Sequence, residues 1–224
     1  MGGEKREPIF RVPMMFLILA NLAILGYRLW PWSQVTALPV NGSTGIDPAV
    51  GLVGYIGVAM WIGSARNAGA RKTLFSAGWI GLVAGVVLSG AMLLAGRPGA
   101  GDPSQSHLAQ YGLMGVTVLL WGIAGSQGSR AGYQAGFAML CATWAAMVSC
   151  LMAFGTMVAG SFYSLHPGQT DDPWKQYQGL AIGSEATQAL VQTLLLATGY
   201  LLLGPLVAAV TGLVFAGFTK AKAA

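Results

Sequence analysis

Charge is what this sequence has least of. Seven acidic and twelve basic side chains make up 8% of its 224 residues, against roughly 25% in a soluble domain. That shortage excludes a water-soluble globule, whose surface depends on ionised groups. The net charge of +5 is no nucleic-acid signal, because the basic residues sit at the ends of apolar runs, where membrane topology accounts for them. Histidine is almost as scarce. His107 and His166 both belong to the ends of runs, so the pair of buried axial imidazoles that a membrane haem wants is missing, and no cofactor is expected. Cys141 and Cys150 are the two cysteines. On one helix they lie about 13 Å apart along the axis and cannot bond to each other.

Catalytic groupings are equally thin. Ser89, Thr143, Ser149 and Thr156 fall within apolar runs without a His or Lys to act as base. The glycine-rich stretch 96–101 lacks the lysine and the flanking strand of a phosphate loop. Outer-face chemistry has only His107, His166, Asp102, Asp171, Asp172 and Glu185 to draw on, and no spacing singles out a set. No catalytic residue and no metal ligand is assigned.

What is present is apolar mass. Hydrophobic residues are 54% of the chain and glycine contributes 33 positions. Apolar runs longer than about 18 residues read as membrane spans, and only helices or closed barrels satisfy the backbone in hydrocarbon. The predicted fold is all-α: one transmembrane domain over residues 1–224, a bundle of six helices spanning about 12–30, 49–64, 73–96, 106–125, 131–160 and 184–219. The basic start and the first run resemble a signal peptide, but no small-x-small cleavage pattern follows, so the run is read as a retained span. Asp47 and Pro48 suit the cap and first turn of the second span. Ser126–Arg130 reads as a short connection making the fourth and fifth spans a tight antiparallel hairpin. Asp172-Pro173, with Trp174, Tyr177 and Leu180 following, reads as a short interfacial helix before the last span.

With six spans, Lys5, Arg6, Arg11, Arg66, Arg71, Lys72, Arg130, Lys220 and Lys222 collect on one side, and Arg28, Arg97 and Lys175 on the other. The positive-inside rule then puts both termini in the cytoplasm, in the inner membrane of a bacterium. A weak repeat is also visible. Gly51/Gly54 with Trp61, and Gly112/Gly115 with Trp121, recur in the second and fourth spans. The repeat suggests two copies of one hairpin, spans 2–3 and 4–5. Glycines at that spacing are expected to be buried against other helices.

The most polar transmembrane feature is in the last span. Glu185, Gln188 and Gln192 share one helical face. Ser184 can cap this helix and Glu185 suits its positive end, but the same residues can line a polar cleft from the outer side. Arg28, at the outer end of the first span, is the expected partner of Glu185, and Asn21, deeper on that span, of Gln192. This predicts that the first and last spans pack together. Met139, Met147, Cys150 and Met157 offer soft sulfur, yet Met139 and Cys150 are about 16 Å apart along one helix, and methionine is ordinary packing material.

Two functions fit best. One is a carrier, channel or binding protein for a small neutral or amphiphilic solute, with Glu185, Gln188, Gln192, Asn21 and Arg28 as ligand-binding residues. The alternative is a non-catalytic structural or accessory subunit of a membrane complex. A lipid-modifying enzyme with its site at the outer interface ranks third. The lipid bilayer is the expected environment, and a membrane-protein partner or a second copy would dock through Gly/Ala-rich faces.

Overall fold

The computed structural model describes residues 11–33, 43–62, 68–95, 103–131, 135–165 and 185–221. Every element among them is a helix: α1 (Arg11–Ser33), α2 (Ser43–Ile62), α3 (Ala68–Ala95), α4 (Pro103–Arg130), α5 (Ala135–Leu165) and α6 (Glu185–Ala221). Four helices contain segments long and apolar enough to cross a membrane: Gly69–Leu93, Leu108–Arg130, Ala135–Gly160 and Thr193–Thr219. α1 and α2 contain shorter apolar stretches, Val12–Tyr27 and Pro48–Ile62. The interfacial helix expected around Asp172–Leu180 lies outside the described residues.

The six helices fall where the apolar runs place them, with two notable local differences. α2 begins at Ser43, so Pro48 lies inside the helix rather than at its first turn. α4 runs on through Arg130, and Ala131 N–H donates to Gln127 O at 3.1 Å beyond its end. Residues 126–130 are therefore helix and not a connection. The polar sequence Ser126-Gln127-Gly128-Ser129-Arg130 reads as a loop, but Gly128 lies so close to α5 that an added Cβ would be 3.0 Å from Ala138 Cα. Tertiary packing overrides local composition here. α6 is 37 residues long, about 55 Å against a hydrocarbon core of about 30 Å, so it tilts or protrudes.

α5 is the axis of the bundle. Trp144 to Leu151 is buried without a break. α1, α3, α4 and α6 lie directly on it, and α2 bridges α1 and α6. In order around α5 come α3, α4, α6, α2 and α1, and each touches the next. The ring is open between α1 and α3, which share no comparable contact among the described residues.

Small residues set how closely these helices approach. A Cβ on Gly81 would lie 2.6 Å from Ala145 O, and one on Gly85 2.5 Å from Met152 Sδ, so α3 sits against the backbone of α5. Where α4, α5 and α6 meet, a Cβ on Gly125 would be 2.7 Å from Gly212 Cα, and one on Gly212 2.8 Å from Ala142 Cβ. Only glycine permits such approach, and dispersion between the closely apposed helices is the return in a membrane, where burial from water supplies none.

The proposed repeat fares differently. α4 packs along α5, whereas α2 and α3 share no comparable contact among the described residues. The two tryptophans at matching positions have opposite surroundings: Trp61 is 67% exposed and Trp121 4%. The glycine pairs that suggested the repeat are not buried as expected. Gly54, Gly112 and Gly115 are exposed, with nothing within 4 Å of an added Cβ, and Gly51 meets only Leu201 Cδ1 at 3.9 Å. The close-packing glycines of α4 are Gly122, Gly125 and Gly128, further along the helix. They draw that half of α4 onto α5 and α6 and leave the Gly112/Gly115 half outside.

Candidate functional site

Two buried inter-helix hydrogen bonds flank Gly204-Pro205 of α6, one from α2 and one between α4 and α5. Proline has no N–H, so Pro205 leaves the carbonyl one turn earlier, Leu201 O, without its helical donor. A carbonyl left bare in hydrocarbon costs several kcal/mol. The Tyr55 hydroxyl of α2 fills the vacancy, donating to Leu201 O at 2.6 Å from a buried position. α6 passes through Pro205 as one continuous helix. Gly204, just before the proline, is filled from α5: the Cys150 sulfur occupies the space a Cβ would need, with the Trp121 ring 3.7 Å away. Trp121 Nε1 donates to Ser149 Oγ at 3.0 Å, and Ser149 returns its own proton to Ala146 O at 3.0 Å. The Tyr55 and Ser149 hydroxyls and the Trp121 indole each have a partner, so their hydrogen bonds are satisfied within the protein.

Cys150 therefore acts as packing. Its sulfur fits a glycine hollow, and Met147, also buried, lies one turn earlier on the same helix. Among the described residues no group of three His, Cys, Asp or Glu could hold a metal ion.

The residues expected to form an outer cleft are distributed as follows. Glu185, Gln188 and Gln192 open α6, and Arg28 lies near the end of α1. Their side chains fall outside the described residues. Asn21 is described and faces α5. It is 3% exposed, its Nδ2 donates to Leu17 O at 2.7 Å, and its Oδ1 is 2.8 Å from the point a Gly155 Cβ would occupy.

The expected packing of the first and last spans is not found: α1 lies on α5 and α2, and among the described residues it makes no comparable contact with α6. The reason lies in the small residues. Gly155 of α5 offers the hollow that receives Asn21, while Gly204 and Gly212 turn α6 towards α5 and α4. Depth differs as well. Cys150 meets Gly204 and Ala142 meets Gly212 on these antiparallel helices, so Gly155 and Asn21 lie near the level of Gly199. Gln192 is about 10 Å further along α6.

Four buried polar atoms lack a hydrogen-bond partner among the described residues: Asn21 Oδ1, Ser129 Oγ, Trp144 Nε1 and Thr198 Oγ1. Two of them, Asn21 Oδ1 and Thr198 Oγ1, lie at similar depth on the two helices that flank α2.

Sequence reading misses Tyr55, Trp121 and Ser149 as a group. The one available signal is the proline in mid-span, which requires a donor from a neighbouring helix; nothing in the sequence says which donor.

Together these features define a helical membrane protein: four long apolar helices and two shorter apolar ones, joined by buried hydrogen bonds between helices. No known protein family, characterised protein or solved structure matches the chain.

Proposed function

We propose that the chain is a six-span protein of a bacterial inner membrane, with both termini in the cytoplasm, and that it serves as a non-catalytic structural or accessory subunit of a membrane assembly. The observation that carries this reading is the set of open glycines. Gly112 and Gly115 of α4, and Gly54 and Gly57 of α2, have nothing within 4 Å of an added Cβ. Each glycine weakens its helix by about 1 kcal/mol relative to alanine. At Gly81, Gly122, Gly125, Gly128 and Gly212 the close approach of a second helix offsets that cost, whereas Gly26, Gly90, Gly136, Gly199 and Gly217 are open as well. At Gly54 with Gly57 and Gly112 with Gly115, open pairs nearly one turn apart, the offsetting helix belongs to another chain or a second copy. The unbroken burial of Trp144 to Leu151 and the satisfied hydrogen bonds of Ser149 support the same reading.

The experiment is the mass of the native assembly in mild detergent, before and after Gly112→Leu with Gly115→Leu. An assembly heavier than one chain that falls to one chain in the variant supports the reading. A parent that is already a single chain ends it.

The carrier reading has one observation in its favour: the unpartnered Asn21 Oδ1 and Thr198 Oγ1 at similar depth, with Glu185, Gln188, Gln192 and Arg28 as its outer mouth. Uptake of a neutral solute into vesicles, lost in Asn21→Leu, would favour it over the subunit reading.

A further inference from the structure

Helices α3, α4 and α5 contain no aspartate or glutamate, yet α3 begins and α4 ends with exposed basic side chains, Lys72 and Arg130. Those two ends are adjacent. One turn further into the bundle, Ser76 Oγ of α3 donates to Gln127 Oε1 of α4 at 2.9 Å, which fixes the register of the pair. Lys72 precedes Ser76 by one helical turn and Arg130 follows Gln127 by nearly one, so both cations stand over the same hydrogen bond. Neither has an ion-pair partner among the described residues.

From this rim the outward faces of the two helices continue as an apolar groove. On α3 the spacing Lys72, Ser76, Trp79, Val83 keeps one face, and Trp79 and Val83 are exposed. On α4 the spacing Arg130, Gln127, Ile123 does the same, with Ile123 exposed. From the end of the bundle inward the order is cation, amide and hydroxyl, aromatic ring, branched aliphatic chain. This is the order of a phospholipid met from headgroup to acyl chain, with tryptophan at the level of the interface. The Ser76 bond uses the Gln127 carbonyl and leaves the two N–H donors of that amide without an acceptor among the described residues. They suit a phosphate or ester oxygen.

We propose that the α3–α4 face binds one anionic phospholipid, its phosphodiester between Lys72 and Arg130 over Gln127 and its acyl chains along Trp79, Val83 and Ile123. The occupant is anionic because the rim has two cations and the three helices around it supply no acid. It is a lipid rather than a free anion because the groove below the rim is apolar and faces outward. Arg71, beside Lys72, adds to the positive potential.

Native mass spectrometry of the full chain in mild detergent tests this, with phosphatidylglycerol and phosphatidylcholine of the same acyl chains added in equal amounts. The expected result is retained phosphatidylglycerol in excess of phosphatidylcholine, with the excess falling about fivefold for Lys72→Gln or Arg130→Gln alone, in keeping with the usual strength of one basic residue at an anionic headgroup. Lys5→Gln with Arg6→Gln removes the same kind of charge outside the sequences of α3 and α4 and leaves the excess unchanged. Gln127→Leu, which keeps both cations, lowers it to a smaller degree. Equal retention of the two lipids by the parent overturns the proposal. So does an excess that survives the loss of Lys72 and Arg130, or one that falls as far in the Lys5/Arg6 variant, since the latter reports net charge and not a site.

Discussion

α4 has two halves that use the same residue for opposite ends. In the half near its C-terminus, Gly122, Gly125 and Gly128 face neighbours so close that an added Cβ would meet the Phe215 ring at 2.7 Å, Gly212 Cα at 2.7 Å and Ala138 Cα at 3.0 Å. In the other half, Gly112 and Gly115 face open space. Glycine content alone therefore does not locate a helix interface inside a chain. What does is a neighbour that uses the gap: Gly122 meets the Phe215 ring, Gly125 meets Gly212 and Gly128 meets Ala138, on helices that the fold brings alongside. The open half has no such complement among the described residues, and that is why it is read as the face of a subunit.

The most damaging way to probe the contrast is on the closed side. Gly81→Leu places a side chain into the backbone of α5, with Ala145 O only 2.6 Å from the new Cβ. Neither backbone can yield cheaply, so destabilisation of about 3 kcal/mol or more is expected, read as loss of monodisperse protein on size exclusion. Retained folding would mean that α3 and α5 lie further apart than described.

Gly204→Ala should cost less, about 1–3 kcal/mol, because its obstacle is a single sulfur. Cys150→Ala removes that sulfur, and the double variant should recover much of the loss. A thermal-melt double-mutant cycle with no coupling would show that Cys150 does not fill the glycine hollow.

Tyr55→Phe tests the Pro205 site. It keeps the ring and bares Leu201 O, for an expected loss of about 1–3 kcal/mol. Restoring the missing N–H with Pro205→Ala should make Tyr55→Phe nearly harmless. If the two losses instead add, the hydroxyl and the proline are unrelated.

The smallest effect belongs to the open side. Gly54→Ala or Gly112→Ala should raise the stability of the isolated chain by up to about 1 kcal/mol through helix propensity alone. A fall in melting temperature at either position would mean that the face is filled within the chain.

Much of this architecture can be read from the sequence, and the reasons differ by element. The helices α3, α5 and α6 stand out because uninterrupted apolar length has one interpretation in a membrane. The end of α4 is misread because Ser126-Gln127-Gly128-Ser129-Arg130 has loop composition, and only its contact with α5 keeps it helical. Asp47-Pro48 is misread because a proline suits a first turn, although α2 starts a turn earlier, at Ser43. The neighbours of α1 are misjudged for a different reason. Pairing Arg28 with Glu185 rests on charge and depth, while the hollow at Gly155 that receives Asn21 is a property of two helices together and has no sequence signal. Tyr55 likewise becomes meaningful only once α2 is seen beside Pro205.

The subunit reading rests on the open half of α4, and the native mass of the assembly tests it most directly. The account predicts that the parent chain purified in mild detergent is heavier than one copy. With Gly112→Leu and Gly115→Leu the mass should fall to one copy while the melting temperature of the chain holds or rises, since each new side chain enters open space. An assembly of unchanged mass in that variant, or a loss of the fold itself, would contradict it.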